Sequence, residues 1–196
     1  MNISELTTLN FIEIIGVVTG VICVYLNFRE HIIGWPIGIV SVVCYAIVFF
    51  HQKLYADMGL QFFYIGMNIY GWYMWYAKKK ATAIQVIRIR FNQGIYIGIF
   101  ILLFGSALSY ILKLYTDASL PLADAFLCAG SLAAQYLLAK KIIENWLLWI
   151  VIDLCYVGMF LQKELYPTAF LYLIFTALAI WAYIVWRKKL ISTKGD

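Results

Sequence analysis

One carboxylate and two indoles share a single face of an apolar segment in the second half of the chain. Trp146, Trp149, Asp153 and Tyr156 follow one another at steps of three, four and three residues, which is the spacing of one helical face. Indole faces attract cations by roughly 1–2 kcal/mol when the site is desolvated, and a carboxylate adds a directional hydrogen-bond acceptor. This combination is typical of a site for a flat, positively charged ring, whereas a sugar or an inorganic ion would not require it.

A second polar face occurs earlier in the chain. Gln61, Tyr64 and Asn68 are spaced by three and four residues inside another apolar segment, while Gln135 and Thr176 add single polar positions in later segments. The spacing leaves two interpretations of these amides open. They either form hydrogen bonds between neighbouring helices or contact a ligand.

The elements that hold these side chains are predicted to be membrane helices. The 196 residues are 64% hydrophobic and 13% charged, with a mean hydropathy of +0.85, which lies outside the range of soluble domains. A helix crosses a hydrocarbon core about 30 Å thick with roughly 20 apolar residues, and the apolar runs do not alternate in polarity as barrel strands do. We therefore predict an all-α membrane protein with seven transmembrane helices, at residues 10–28, 32–50, 59–77, 94–114, 124–139, 146–162 and 167–186.

A position within the membrane leaves two interpretations open for each of two candidate residues, Asp153 and Trp146. Within the predicted spans the basic residues are limited to Lys113, at the end of the fourth span, so the Asp153 carboxylate is either protonated or visited by a cationic group. Trp146 lies near a predicted membrane interface, where an aromatic residue of the interfacial belt is the ordinary alternative. Trp149 lies one turn deeper, where that role is less suitable.

The distribution of basic residues predicts the orientation of the chain. With the N-terminus outside, twelve basic residues fall on the cytoplasmic side and only Lys53, Lys113 and Lys163 on the other. Cytoplasmic loops carry the excess of lysine and arginine in membrane proteins. The net charge of +5 is therefore attributed to topology, and no nucleic-acid partner is expected.

The sequence shows no motif for enzymatic or cofactor chemistry. The HExxH pattern, a phosphate-binding glycine loop and a serine–histidine arrangement are all missing from it. The cysteines Cys23, Cys44, Cys128 and Cys155 fall within predicted spans without CxxC spacing, so inert buried thiols are expected. We predict a protein that is not an enzyme and has no catalytic residues, metal or cofactor.

The chain carries an internal repeat. Residues 13–75 align with residues 124–186 without a gap, and 14 of the 63 positions are identical in this repeat alignment. Three helices reverse the side of the membrane, so an intervening helix at 94–114 gives both repeats the same orientation. This predicts one membrane domain over residues 1–196 with two parallel repeats and a linking helix, an arrangement that transporters use. The identities include Trp35 with Trp146, Trp75 with Trp186 and Tyr45 with Tyr156.

Two stretches of the chain resemble the Pnu-type bacterial vitamin transporters. They are LYADMGLQFFYIGMNIYGWYMW (residues 54–75) and ENWLLWIVIDLCYV (residues 144–157), and the resemblance extends over essentially the whole chain. It implies two parallel three-helix bundles joined by a fourth helix in the bacterial inner membrane, while the distribution of basic residues predicts a cytoplasmic C-terminus. It also implies facilitated diffusion of a small cationic aromatic vitamin, with net uptake driven by a cytoplasmic vitamin kinase. Membrane lipid is the other expected partner, and a homo-oligomer is left open.

The resemblance further implies which side chains contact the substrate. The W-x-x-W-x-x-x-N signature of nicotinamide riboside carriers falls on Trp146, Trp149 and position 153, where this chain has aspartate. A carboxylate only accepts hydrogen bonds, which suits the exocyclic amine of thiamine. We therefore expect thiamine as the substrate, with nicotinamide riboside as the alternative. The expected substrate-binding residues are Gln61, Tyr64, Asn68, Gln135, Trp146, Trp149 and Asp153.

Overall fold

The described part of the chain, residues 3–51, 55–81, 85–116, 120–162 and 166–192, is α-helical in a computed structural model. It forms seven helices, and within it β-type pairing is limited to a single isolated bridge between Ile87 and Ile142. The prediction of an all-α fold is therefore confirmed. The helices are α1 (Ile3–Phe28), α2 (Gly34–His51), α3 (Tyr55–Ala81), α4 (Phe91–Tyr115), α5 (Pro121–Ala139), α6 (Glu144–Gln162) and α7 (Tyr166–Ser192).

Several helices run past the apolar segments that predicted them. The helix α3 continues through the three lysines at 78–80, and α7 continues to Ser192. Lysine and arginine are good helix formers, so a change from apolar to basic residues marks the edge of the membrane without ending the helix. The basic residues Lys53, Lys163 and Lys194 lie outside the described residues.

Four of the described helical segments are long and apolar enough to cross a membrane. They are Phe11–Phe28, Phe91–Tyr115, Pro121–Ala139 and Ala169–Ile191, and Gly34–Val48 is a shorter apolar helix. Large apolar side chains such as Phe91 and Leu103 are well exposed. A surface of this kind is suited to lipid and unsuited to water.

The helices divide into two compact units, which we call the first unit (1–84) and the second unit (85–196). In the first unit, α2 packs against α1 and against α3. In the second unit, α5 packs against α4 and α6, and α6 packs against α7. The helix α4, which the sequence predicts as a link between repeats, thus belongs to the second unit.

The α1–α2 corner ends α1 with a left-handed residue. Glu30 has φ 60°, and its N–H donates to the carbonyl of Asn27 at 3.0 Å. The N–H of His31 donates to the carbonyl of Leu26 at 2.8 Å. These two bonds form a Schellman motif, which satisfies carbonyls that the helix end leaves unpaired.

The α5–α6 corner has the same backbone geometry at the position that the repeat alignment makes equivalent. Lys141 has φ 55°, and its N–H donates to the carbonyl of Leu138 at 2.9 Å. The N–H of Ile142 donates to the carbonyl of Leu137, also at 2.9 Å. The two units therefore end equivalent helices in the same way, although neither corner uses the glycine that this position usually favours.

Side chains repeat at these corners as well. The guanidinium carbon of Arg29 lies 6.0 Å from the ring centre of Tyr25, and the ammonium nitrogen of Lys140 lies 5.7 Å from that of Tyr136. Both are cation–π contacts between residues four apart on a helix end. The repeat alignment pairs Tyr25 with Tyr136 and Arg29 with Lys140, so both units form the same contact.

A pair of perpendicular tryptophans forms part of the core of each unit. The ring centres of Trp35 and Trp75 are 5.3 Å apart at 84°, and those of Trp146 and Trp186 are 5.4 Å apart at 85°. All four indoles are buried. Trp35 lies against Gly71, where a side chain would collide with its ring. Edge-to-face packing of this kind joins α2 to α3 and α6 to α7.

Each corner has one buried asparagine. In the first unit it lies on the helix before the corner, and in the second unit it lies on the helix after the corner. The first unit has Asn27 on α1 facing Gly34, and the second unit has Leu138 and Asn145 at the equivalent positions. A side chain added at Gly34 would collide with the amide of Asn27. Within the described residues, the amide oxygens of Asn27 and Asn145 are both buried without a hydrogen-bond partner. Each corner therefore holds one asparagine amide, supplied from one side or the other.

Moving the asparagine of the first corner from position 27 to position 34 is expected to reproduce the side-chain arrangement of the second corner. Gly34→Asn alone should lower the free energy of unfolding by about 1–3 kcal/mol, because it overpacks a buried site. Asn27→Leu combined with Gly34→Asn should recover most of that loss. Unfolding in detergent measures both variants, with Gly66→Ala as the control because a methyl there meets no atom within 4 Å. An equal loss in the single and double variants would contradict the exchange.

Candidate functional site

The start of α6 is attached to the segment that precedes α4. The N–H of Ile87 donates to the carbonyl of Lys141 and the N–H of Ile143 donates to the carbonyl of Ile87, both at 3.0 Å. The N–H of Ile89 donates to a carboxylate oxygen of Glu144 at 2.9 Å. These bonds lie within the second unit and fix the first turn of the helix that carries the two tryptophans and the aspartate.

Asp153 is the buried carboxylate of this helix. Its side chain is 4% exposed, and within the described residues it has neither a hydrogen bond nor an ion pair. A buried carboxylate in that position is costly unless a partner reaches it. Among the described residues, Asp153 is therefore a buried acidic group without a polar partner.

The two tryptophans of α6 have different environments. Trp146 is 2% exposed and packs edge-on against Trp186, which matches the packing of Trp35 in the first unit. Trp149 is only partly buried and has no counterpart, because the equivalent position is Gly38. Its indole is thus the one on this face with surface left for a further contact.

The neighbouring helices add polar groups to the second unit. Gln135 lies on α5 and is 8% exposed, and Thr176 lies on α7 with its hydroxyl bonded to the carbonyl of Tyr172 at 2.9 Å. The rings of Tyr156 and Tyr172 lie 4.9 Å apart, one helical turn beyond Asp153 on α6. The α6 face that carries the carboxylate is therefore closed against α7 at that end by aromatic contact.

The α3 face of the first unit is partly buried. Gln61 and Tyr64 are half-buried, whereas Asn68 is 3% exposed. The amide nitrogen of Asn68 donates to the carbonyl of Tyr64 at 2.8 Å, and its oxygen lies against Gly38 of α2. This amide consequently takes part in the contact between α2 and α3, and its helix face also presents Gln61 and Tyr64.

The seven residues predicted to bind substrate divide between the units. Three lie on α3 of the first unit, and four lie on α5 and α6 of the second. Their role in binding remains a prediction. Gly38 was not among the predicted site residues, although the repeat contains a signal for it, since glycine stands in the first unit where the second has Trp149.

The described residues contain no cluster of three or more histidine, cysteine, aspartate or glutamate side chains suited to a metal ion. The four cysteines are free, with Cys23 and Cys128 buried and Cys155 exposed. The candidate site residues in the described part of the chain are amides, aromatic rings and one carboxylate.

The sequence matches a known transporter family over most of its length. The family model described as nicotinamide mononucleotide transporter matches residues 10–188. The nicotinamide riboside transporter PnuC of Escherichia coli K12 is 27% identical, and the match covers 91% of this chain and 85% of that protein. The riboflavin/roseoflavin transporter RibM of Streptomyces davaonensis is also 27% identical, with 89% and 83% covered.

The fold is also that of a solved structure. The crystal structure of the vitamin B3 transporter PnuC superposes with a TM-score of 0.76, covering 93% of this chain and 83% of that one at 22% identity. None of these three similar proteins is named for thiamine. The helical architecture that the resemblance implied is thus confirmed, whereas the expectation of thiamine gains no support from these names.

Proposed function

The chain belongs to the nicotinamide mononucleotide transporter family, and from this we propose that it carries nicotinamide riboside across the membrane by facilitated diffusion. Membership and the apolar helices make it a multi-pass membrane transporter of vitamins. The identity of the vitamin is the proposal. It is supported by the names of similar proteins and by the chemistry of the α6 face.

The observation that carries the proposal is the pairing of Trp149 with Asp153. They lie four residues apart on one face of α6, with an indole that retains free surface and a buried carboxylate that lacks a partner in the described chain. The substrate suited to this pair has a positively charged aromatic ring and a hydrogen-bond donor. The indole stacks on the ring, and the carboxylate accepts from the donor and compensates the charge.

Nicotinamide riboside has both features. Its pyridinium ring is flat and permanently charged, and its carboxamide carries two N–H donors. The amide side chain of Gln135, in the same unit, can donate to the carboxamide oxygen. Riboflavin has no fixed positive charge, so the Asp153 carboxylate would remain uncompensated beside it.

Thiamine is the second candidate, and position 153 favours it. The resemblance places asparagine there in nicotinamide riboside carriers, whereas this chain has a carboxylate. A carboxylate accepts from the exocyclic amine of the aminopyrimidine and compensates the thiazolium charge. Assays of the wild type must therefore include both vitamins, with riboflavin as a third.

Transport is expected to proceed without an ion gradient. Among the described residues within the spans, acidic groups are limited to Asp153 and the end-of-span residues Glu13 and Asp124, and no ion pair or carboxylate relay joins them. Radiolabelled nicotinamide riboside should therefore enter proteoliposomes without a sodium or proton gradient, and more should accumulate when a riboside kinase and ATP are enclosed. Uptake that requires an imposed proton gradient would contradict facilitated diffusion and make Asp153 a proton carrier.

We also propose that the N-terminus faces outward and the C-terminus the cytoplasm. The support is that this orientation places twelve basic residues on the cytoplasmic side and only three on the outer side. Alkaline phosphatase fused to the C-terminus should then be inactive, and green fluorescent protein fused there should fluoresce. The opposite pair of results would reverse the orientation.

A further inference from the structure

The α2 helix has no space for a side chain at Gly38. A Cβ atom built there would lie 2.6 Å from the amide oxygen of Asn68 and 2.8 Å from the sulfur of Cys23. Both atoms are the ends of side chains from the flanking helices α3 and α1 and not backbone. A methyl group at Gly38 would therefore displace these side chains before it moved the helices.

The amide of Asn68 has little freedom to move away. It is 3% exposed, and its nitrogen donates to the carbonyl of Tyr64 at 2.8 Å. The oxygen is attached to the same rigid amide plane, so moving it from α2 turns the nitrogen away from Tyr64 as well. A side chain at Gly38 would therefore disturb the orientation of the Asn68 amide.

In the second unit, the sizes of the side chains around the equivalent position are reversed. In the repeat alignment, Gly38 corresponds to Trp149, while Cys23 and Asn68 correspond to Ala134 and Ala179, which are both buried. A large side chain on the middle helix is there combined with two small ones on its neighbours. In the first unit the middle helix supplies no side chain, and the neighbours supply an amide and a thiol.

From these contacts we propose that Gly38 is a positioning residue for substrate binding, which acts by holding the Asn68 amide in its binding orientation. The inference depends on the proposed function, because it assigns Asn68 a contact with the vitamin. The first unit then presents an amide beside Gly38, and the second unit has an indole, Trp149, at the equivalent position. Because glycine stands in the first unit where the second has tryptophan, the first unit presents an amide and the second presents an indole.

The purely structural alternative is that Gly38 only allows α2 to approach its neighbours closely, as small residues do in membrane helices. The two roles differ in how Gly38→Ala combines with Asn68→Ala. If Gly38 acts through Asn68, its replacement has nothing further to disturb once the amide is removed. If it only permits close packing, its effect is the same in either background.

The experiment is a double-mutant cycle on the purified full-length protein, titrated by calorimetry with nicotinamide riboside and, in parallel, with thiamine. Gly38→Ala and Asn68→Ala are each expected to weaken binding of the recognised vitamin by about tenfold, the equivalent of one hydrogen bond. The double variant should bind no more weakly than Asn68→Ala. Gly66→Ala, on the same helix as Asn68 with open space around it, should bind like the wild type.

Three results would overturn the proposal. They are wild-type affinity in Gly38→Ala, a double variant that multiplies the two losses, and recovery of affinity in Cys23→Ala/Gly38→Ala, which would transfer the effect to the thiol. If Gly38→Ala does not fold, comparison of the double variant with Asn68→Ala decides the question, since equal affinity is expected.

A thermal unfolding cycle separates this inference from the proposed function. Gly38→Ala should lower the unfolding temperature in the wild-type background and much less in the Asn68→Ala background. A wild type that binds neither vitamin would refute the proposed function. The unfolding cycle would then still test the Gly38–Asn68 contact, and equal shifts in both backgrounds would refute that contact alone.

Discussion

Asp153→Ala is expected to weaken binding of the transported vitamin by about tenfold to a hundredfold. The carboxylate is buried and has no partner within the described chain, so its hydrogen bond to the bound ring system is the interaction that is lost. A hydrogen bond to a charged group contributes roughly 1.5–3 kcal/mol, which corresponds to that range. The fold should persist, because removing an unpaired buried charge relieves a cost.

Asp153→Asn is expected to separate the two candidate vitamins. An amide accepts from and donates to a carboxamide, and asparagine completes the signature that resembles nicotinamide riboside carriers. Riboside affinity should therefore stay within about tenfold of the wild type, whereas thiamine affinity, where present, should fall by the larger factor. Calorimetric titration with each vitamin measures both. Unchanged affinity in Asp153→Ala would remove this side chain from the site.

Trp146→Ala and Trp35→Ala are each expected to reduce the free energy of unfolding by about 3–5 kcal/mol, the usual cost of deleting a buried aromatic side chain. Both indoles are buried, and each packs perpendicular to a partner on the next helix. Their removal leaves a cavity between α2 and α3 or between α6 and α7. Because the two pairs have matching geometry, the two losses should be similar in size.

Trp149→Ala is expected to weaken substrate binding with little effect on the stability of the fold. This indole is only partly buried, so the unfolding temperature should change little, while substrate affinity should fall by about tenfold through lost stacking and cation–π attraction. Unfolding and titration of the same preparations measure both properties. Trp72→Ala, at an exposed position in the first unit, is the control and should affect neither. A strong loss of affinity in a well-folded Trp146→Ala protein would instead place that indole in the vitamin site.

The two corners have equivalent backbone geometry, so variants at equivalent positions of the two units can be compared directly. Glu30 and Lys141 both adopt positive φ. The paired hydrogen bonds around them measure 3.0 Å and 2.8 Å at the first corner, and both measure 2.9 Å at the second. A difference between the units at equivalent positions therefore reflects the side chains and not a difference in the corner backbone. Gly38 against Trp149 is the difference with the clearest consequence, because one unit then presents an amide and the other an indole.

The sequence alone was sufficient for the class of protein and for its helices. Hydropathy and helix length depend on the chain's own residues and on the thickness of the membrane, so no tertiary information is needed for them. The helical ends were predicted less well, since α3 continues through its lysines after the apolar segment has ended. Helix propensity and membrane burial are separate properties, and only the second produces the hydropathy pattern.

The sequence also placed Trp146, Trp149 and Asp153 on one face of α6, because helical periodicity depends only on spacing. It did not determine which of them is enclosed. That depends on the size of the side chains opposite: Trp186 encloses Trp146, and the contact of Gly38 with Asn68 depends on three helices meeting at one point. Spacing specifies the direction of a side chain from its own helix, whereas the neighbouring helix decides whether that direction leads to packed core or to space that a substrate can fill.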